Sequence, residues 1–160
     1  MSKGLKITII VVSMIVSVAG IIFMIMSKVG TSKLSEQTTI VIKGETKKTV
    51  KAELEGLYPG SSEEYEIILE GEGEEYQTSI RFRGKEDSEL KEYIDVKITS
   101  GEESIERALG SLIEDEENIS LGENRESVKL IFTMREDAGN ETQGKDISFY
   151  IDVMVGNTGE

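Results

Sequence analysis

The stretch DISFYIDVMV, Asp146–Val155, alternates polar and apolar side chains from end to end. Successive side chains of an extended chain point to opposite faces, so every second residue of this stretch shares one face. The stretch SVKLIFTM, Ser127–Met134, has the same pattern. Both segments therefore predict strands with one buried face. The residues expected to be buried are Ile147, Phe149, Ile151, Val153 and Val155 in the first, and Val128, Leu130, Phe132 and Met134 in the second.

The same period of two recurs through the residues before these strands. Apolar positions alternate at Ile40 and Ile42, at Val50, Ala52 and Leu54, at Tyr65, Ile67 and Leu69, at Ile80 and Phe82, and at Ile94, Val96 and Ile98. About eight short strands with turns between them are typical of two antiparallel sheets packed face to face. The fold class expected is therefore an all-β antiparallel sandwich.

Three connections have their own signals. The residues around the turn Gly71–Glu75 predict a hairpin of the two flanking strands. Glu102–Gly122 is ambiguous, because its apolar residues have helical spacing but Gly110 and Ser111 interrupt any long helix. Met134–Lys145 must join two long strands, and its Gly-Asn and Gln-Gly pairs favour a structured loop over a site of chemistry.

The N-terminal residues differ in kind from the rest. Ile7–Ser27 contains no charged residue and is long enough, as a helix, to cross about 30 Å of hydrocarbon. Lys3 and Lys6 precede it, which favours a cytoplasmic N-terminus and an exported remainder. We expect a membrane-spanning or signal segment at residues 1–28, a polar tether at 29–38 and an extracellular sandwich domain at 39–157. An uncleaved anchor in the cell membrane and a cleaved signal with release to the cell surface both remain open.

Composition excludes several classes of function. The chain has no cysteine and no histidine, which removes thiol chemistry, the usual general base and the commonest zinc ligand. All 31 acidic residues but only 14 of the 18 basic residues lie after residue 33, so this part carries a net charge of −17. That charge repels nucleic acid and attracts cations or a basic cell-surface partner, although solubility alone also explains it.

No catalytic, cofactor-binding or metal-binding residue is predicted. Consecutive acids at Glu114–Glu117, followed by Asn118, cannot all converge on one ion and lack the order of a calcium loop, so a solvated loop is the default. Four acids around the Gly71–Glu75 turn are interpreted as protection of a sheet edge against pairing, namely Glu70, Glu72, Glu74 and Glu75. The protein is expected not to be an enzyme and to need no cofactor.

Two segments resemble a known family. FTMREDAGNETQGKDISFYIDV, Phe132–Val153, is similar to the C-terminal pattern of the TasA and camelysin-like exported proteins of Gram-positive bacteria. The turn and charged strands of Glu53–Gly84 are similar to that family as well. The resemblance implies a jelly-roll-like sandwich at the cell surface and relatives that form extracellular fibres or biofilm matrix. The metallopeptidase label of camelysin-type relatives does not carry over, because the chain has no histidine.

Two functions remain. The first is a non-catalytic structural protein of the cell surface or matrix, which self-assembles into fibres when Thr39–Lys43 completes the sheet of a neighbouring copy. The alternative is a membrane-tethered extracellular binding or accessory module that stays monomeric. In that case the sandwich is a rigid base for loops such as Glu102–Glu126.

Overall fold

The computed structural model of the chain describes residues 32–71, 75–84 and 88–157, most of them in strands. One short helix and two 3₁₀ turns, at Glu89–Tyr93 and Asn140–Thr142, interrupt the strands. The elements are β1 (Ser32–Lys33), β2 (Gln37–Ile42), β3 (Thr46–Leu54), β4 (Ser62–Gly71), β5 (Tyr76–Arg83), β6 (Ile94–Ser100), β7 (Glu103–Ala108), α1 (Leu109–Asp115), β8 (Ile119–Glu123), β9 (Ser127–Met134) and β10 (Ile147–Asn157).

The strands form two five-stranded sheets. Sheet A has the order β1-β3-β10-β5-β8 and sheet B the order β2-β4-β9-β6-β7. All neighbouring strands are antiparallel except β1 with β3 and β2 with β4, which are parallel. Among the described strands, every connection except that between β6 and β7 joins strands of different sheets. Residues close in sequence therefore lie mostly in different layers.

The core lies between the sheets, as the alternation predicts. Phe132 of sheet B meets Phe149 of sheet A with ring centroids 5.5 Å apart, and Phe82 lies 6.1 Å from Phe149 on the same side. All three rings are buried. Burial of such side chains contributes about 1.5–3 kcal/mol each, so this contact is a main link between the layers. The prediction of a β-sandwich is thereby confirmed.

The predicted hairpin at Gly71–Glu75 is wrong. Strand β4 lies in sheet B between β2 and β9, whereas β5 lies in sheet A between β10 and β8. The apolar residues of both strands still face the core. Alternation determines which face of a strand is buried but does not determine which strand lies beside it. The connection therefore joins the two layers instead of closing a hairpin.

The ambiguous segment Glu102–Gly122 contains both a strand and a short helix. Ile105 lies in β7 opposite Ile98, while Leu109 and Leu112 are buried on α1. Gly110 lies inside α1, and a Cβ there would come within 2.6 Å of the Glu92 carboxylate. The glycine therefore lets the helix approach the residues before β6.

The predicted membrane-spanning or signal segment, residues 1–28, lies outside the described residues. Part of the predicted tether, residues 29–38, belongs to the sheets, because β1 includes Ser32 and Lys33, and β2 starts at Gln37. Leu34 between them is buried, and its N–H donates to the Lys51 carbonyl at 2.7 Å. Within the described ranges, no helix is long and apolar enough to cross a membrane.

The loop between β9 and β10 is structured, as expected. Its Asn140–Thr142 turn is stabilised by the Gln143 amide, which donates to Asn140 Oδ1 at 3.1 Å. Gly144 has a φ of +70°, in the left-handed region that favours glycine, whereas the φ of Gly139 is −70° and does not require glycine. Thr142, the last residue of this turn, is buried. These contacts give the glycine and amide residues of this loop a structural role.

Candidate functional site

The outer face of sheet A is organised around one buried carboxylate. Asp152, in the central strand β10, has no exposed surface although it faces away from the core. Arg83 of the neighbouring β5 donates to both of its oxygens, at 2.7 and 2.9 Å. Arg81 donates at 3.0 Å, and the Thr49 hydroxyl of β3 donates from the other side at 2.7 Å. Asp152 therefore connects three strands.

These donors decide the ionisation of Asp152. Burial raises the pKa of the carboxyl group, but hydrogen bonds from Arg83, Thr49 and Arg81 outweigh it and hold the pKa far below its ordinary value. The same pairing raises the pKa of Arg83. Asp152 therefore carries a negative charge throughout the neutral range.

The surroundings of Asp152 have more positive charge than the carboxylate neutralises. Lys47 Nζ lies 3.7 Å from Asp152 Oδ2, so three cations face one anion. The Arg81 Nε–H is buried and has no partner among the described residues. A local excess of positive charge on a domain of net charge −17 was not predicted. The available signal was the basic residues on one face of each strand, Lys47 and Lys51 four positions apart in β3 and Arg81 and Arg83 two positions apart in β5.

Asp152 and its partners Thr49, Arg81, Arg83 and Lys47 are called the cluster here. A shallow groove of about 570 Å³ lies beside the cluster on the same face. Its floor includes a single row of paired residues across four strands: Lys47, Met154, Ser79 and Ser120. Glu45 and Gln77 also line it. The row containing Thr49, Asp152 and Arg81 is next along the strands, about 7 Å away. The groove and the cluster therefore share Lys47 as their common wall.

A second charged surface lies along one side of the sandwich. The segment Glu102–Glu126, called the acidic edge here, includes β7 at the margin of sheet B, α1, and β8 at the margin of sheet A. Nine acidic and two basic residues occur in it, and all nine acidic side chains are exposed. Three of them form ion pairs: Glu103 with Arg125, Glu114 with Lys91, and Glu117 with Arg107.

Arg125 fixes the geometry of the acidic edge. Its Nε donates to the Leu121 carbonyl at 2.6 Å, and its own carbonyl accepts from the Tyr76 hydroxyl at 3.1 Å. The guanidinium occupies the space that a side chain at Gly101 or Gly122 would need, and both glycines have positive φ. The edge is therefore held to the sandwich by specific contacts as well as by the buried residues of α1.

The acidic groups considered from the sequence do not converge. Glu114–Glu117 are exposed around the end of α1, and in the described part of the chain no three acidic side chains lie close enough to hold a metal ion. The edge-protection role assigned to the acids at the Gly71–Glu75 turn is wrong for Glu70 and Glu75, because β4 and β5 each lie between two neighbours. Glu72 and Glu74 lie outside the described residues.

Comparison with known proteins gives weak similarities only. No protein-family model and no curated protein matches the chain. Among solved structures, a mutant of PliG from Escherichia coli, a periplasmic lysozyme inhibitor of g-type lysozyme, matches with a TM-score of 0.41 and 10% identity over 78% of this chain and 99% of that one. PliG from Salmonella Typhimurium, with the same description, matches with a TM-score of 0.39 and 9% identity over 74% of this chain and 97% of that one.

The resemblance to TasA and camelysin-like proteins is wrong. No family model matches, and the two solved structures described above are of lysozyme inhibitors. The residues that suggested the family are turn glycines and alternating strand positions, which many unrelated sandwiches require. The biofilm or matrix role inferred from that family loses its support with it. Both PliG proteins are described as inhibitors.

Proposed function

We propose that the protein is a non-catalytic, exported binding module that docks a positively charged partner protein on its acidic edge. The observation that carries the proposal is the fixed position of nine exposed acidic side chains on β7, α1 and β8. This is the monomeric alternative expected from the sequence, and it assigns the binding surface to the segment Glu102–Glu126.

The electrostatics of the edge support a protein partner. With two bases against nine acids, the segment has a net charge of −7. Six of the acids have no ion pair among the described residues and can pair with a partner's lysines and arginines, namely Glu102, Glu106, Asp115, Glu116, Glu123 and Glu126. Complementary charge of this kind accelerates association and selects against wrong partners. Because the edge is already ordered, docking costs little conformational entropy.

Export and the details of the fold are part of the same proposal. The apolar run at Ile7–Ser27 supports delivery across a membrane, either tethered by residues 1–28 or released after cleavage. A jelly-roll arrangement of β3 to β10 is supported by the orders β3-β10-β5-β8 and β4-β9-β6-β7, in which the chain crosses between sheets at almost every connection.

Two variants of equal net charge test the role of the edge. Glu102→Gln, Glu106→Gln, Asp115→Asn and Glu123→Gln together neutralise four acids of the edge. The matched control neutralises four exposed acids elsewhere, by Glu36→Gln, Glu55→Gln, Glu70→Gln and Glu136→Gln. Binding is measured by calorimetry against polylysine and against a g-type lysozyme, the enzyme that the two PliG proteins inhibit.

We expect the edge variant to bind a specific basic partner about tenfold or more weakly, since four exposed charge pairs at about 0.35 kcal/mol each sum to about 1.4 kcal/mol. The control variant should bind it as the natural chain does. Equal losses in the two variants would mean that net charge alone drives binding, and the proposed edge would be wrong.

A second candidate, self-assembly through β2, is favoured by one observation. β2 is the outer strand of sheet B, none of its six residues is charged, and Val41 is 56% exposed. The Glu66 N–H donates to the Glu36 carbonyl, so in a parallel ladder the alternate residues Thr39 and Val41 turn their backbone groups to the open side. Sedimentation of the natural chain and of Val41→Lys, at increasing salt to screen the mutual repulsion, tests it. A monomer at every salt concentration excludes this candidate.

A further inference from the structure

We infer that the groove on the outer face of sheet A binds small molecules that carry a carboxylate or phosphate group, with Lys47 as the anion-binding residue. The groove adjoins the acidic edge at Ser120 but contains none of its charged residues. The inference does not depend on the proposed function. Three features of the described residues lead to it.

The first feature is unused positive charge. Asp152 is already hydrogen-bonded by Arg83, Arg81 and Thr49, so its oxygens have little capacity left for Lys47. At 3.7 Å, the Lys47 ammonium is too far from Asp152 for a normal hydrogen bond and keeps its donors for another acceptor.

The second feature is the shape of the surface at this point. About 570 Å³ is within the usual range of small-molecule sites. Met154 gives the floor an apolar patch, and the hydroxyls of Ser79 and Ser120 lie in the same row as Lys47. A ligand with an anionic head and a polar body therefore finds a cation at one end and neutral hydrogen-bonding groups along the floor.

The third feature is the placement of the opposite charge. Glu45 also lines the groove and repels an anion, which directs the anionic group toward Lys47. The net charge of the whole domain disfavours anions at long range, but screening at physiological salt limits that effect beyond about 8 Å. Contacts inside the groove then decide whether an anion binds.

Neighbouring lysines provide a matched test. Lys47 and Lys48 are both exposed, but they point to opposite faces of β3, and only Lys47 lines the groove. Citrate and inorganic phosphate are titrated into the full-length chain, in a non-ionic detergent, and binding is followed by calorimetry. We expect Lys47→Gln to weaken binding about tenfold, Lys48→Gln to leave it unchanged and Glu45→Gln to strengthen it. Binding of both probes would indicate recognition of the anionic group in general, and binding of citrate alone would restrict the site to carboxylates.

Two results overturn the inference. One is the absence of saturable binding of either probe to the natural chain at millimolar concentration. The other is an equal loss of binding in Lys47→Gln and Lys48→Gln, which would show a general charge effect. Circular dichroism of each variant checks that the fold is retained. The charge-neutralised acidic edge variant should keep its anion binding, so failure of the edge proposal and failure of this one give different results.

Discussion

Substitution of Asp152 by asparagine isolates the contribution of a buried charge to stability. The replacement has nearly the same shape but keeps only one acceptor oxygen, and its amide nitrogen confronts a donor of Arg83. It also leaves three cations without their shared anion. Asp152→Asn should therefore destabilise the domain while leaving its fold unchanged.

The expected loss is about 3 kcal/mol. Removal of one member of a buried ion pair costs about 3–5 kcal/mol, because the partner is left uncompensated. Here Arg83 is 38% exposed and Lys47 is 56% exposed, so water can solvate part of the released charge, and the lower end applies. With a urea dependence of about 1.5 kcal/mol per molar, the unfolding midpoint should fall by about 2 M.

Asp137 provides the control for this experiment. Arg135 donates to both of its oxygens, at 3.0 and 2.7 Å, in the same geometry as Arg83 with Asp152, but the Asp137 side chain is 64% exposed. Exposed ion pairs contribute about 0.2–1 kcal/mol, so Asp137→Asn should change the midpoint only slightly. Equal midpoints for the two variants in urea unfolding would refute the assignment of stability to burial.

Asp152, the aromatic core and the space occupied by Arg125 each give a further prediction. The pKa of Asp152 is lowered in the folded state from an ordinary 3.8, so the unfolded state binds the proton first as pH falls. The stabilisation that ionised Asp152 gives the fold is therefore complete above about pH 4 and is lost below it. The difference in urea midpoint between the natural chain and Asp152→Asn should shrink from pH 7 to pH 3. Phe149→Ala should cost about 3–5 kcal/mol in thermal or urea unfolding, since the ring contacts both Phe82 and Phe132. Gly122→Ala should lower the free energy of unfolding by at least about 1 kcal/mol more than Gly144→Ala does. Both glycines have positive φ, but only at Gly122 does Arg125 occupy the space that a Cβ would need.

The buried faces of the strands were predictable because alternation has a direct physical cause. Each apolar set named from the sequence, such as Val50, Ala52 and Leu54, lies on the core side of its strand. Pairing was not predictable in the same way. A hairpin of β4 and β5 was predicted because these strands are adjacent in sequence. In the structure β4 pairs with β9 and β5 pairs with β10, at much longer sequence separations. Side-chain periodicity is a local signal, whereas the choice of neighbour depends on the packing of the whole sandwich.

The candidate sites illustrate the same limit. The segment Glu102–Glu126 was named from the sequence as a loop region for binding, but its order as an acidic edge and its attachment through Arg125 were not predicted. The cluster around Asp152 was missed because its members come from β3, β5 and β10, with Thr49 and Asp152 separated by 103 positions. A net charge of −17 also concealed a basic patch on one face. Such a patch appears only when the strand order is known.

The central position of β10 has a consequence for biogenesis. This strand lies between β3 and β5, so before it arrives one layer consists of two separate fragments with open edges. A nascent chain therefore cannot complete the domain until the residues of β10 have emerged from the ribosome. Assembly that depends on such distant partners is slow, so the polypeptide stays incompletely folded for longer during synthesis. A version truncated before Ile147 would keep those edges exposed and become a substrate for proteolysis.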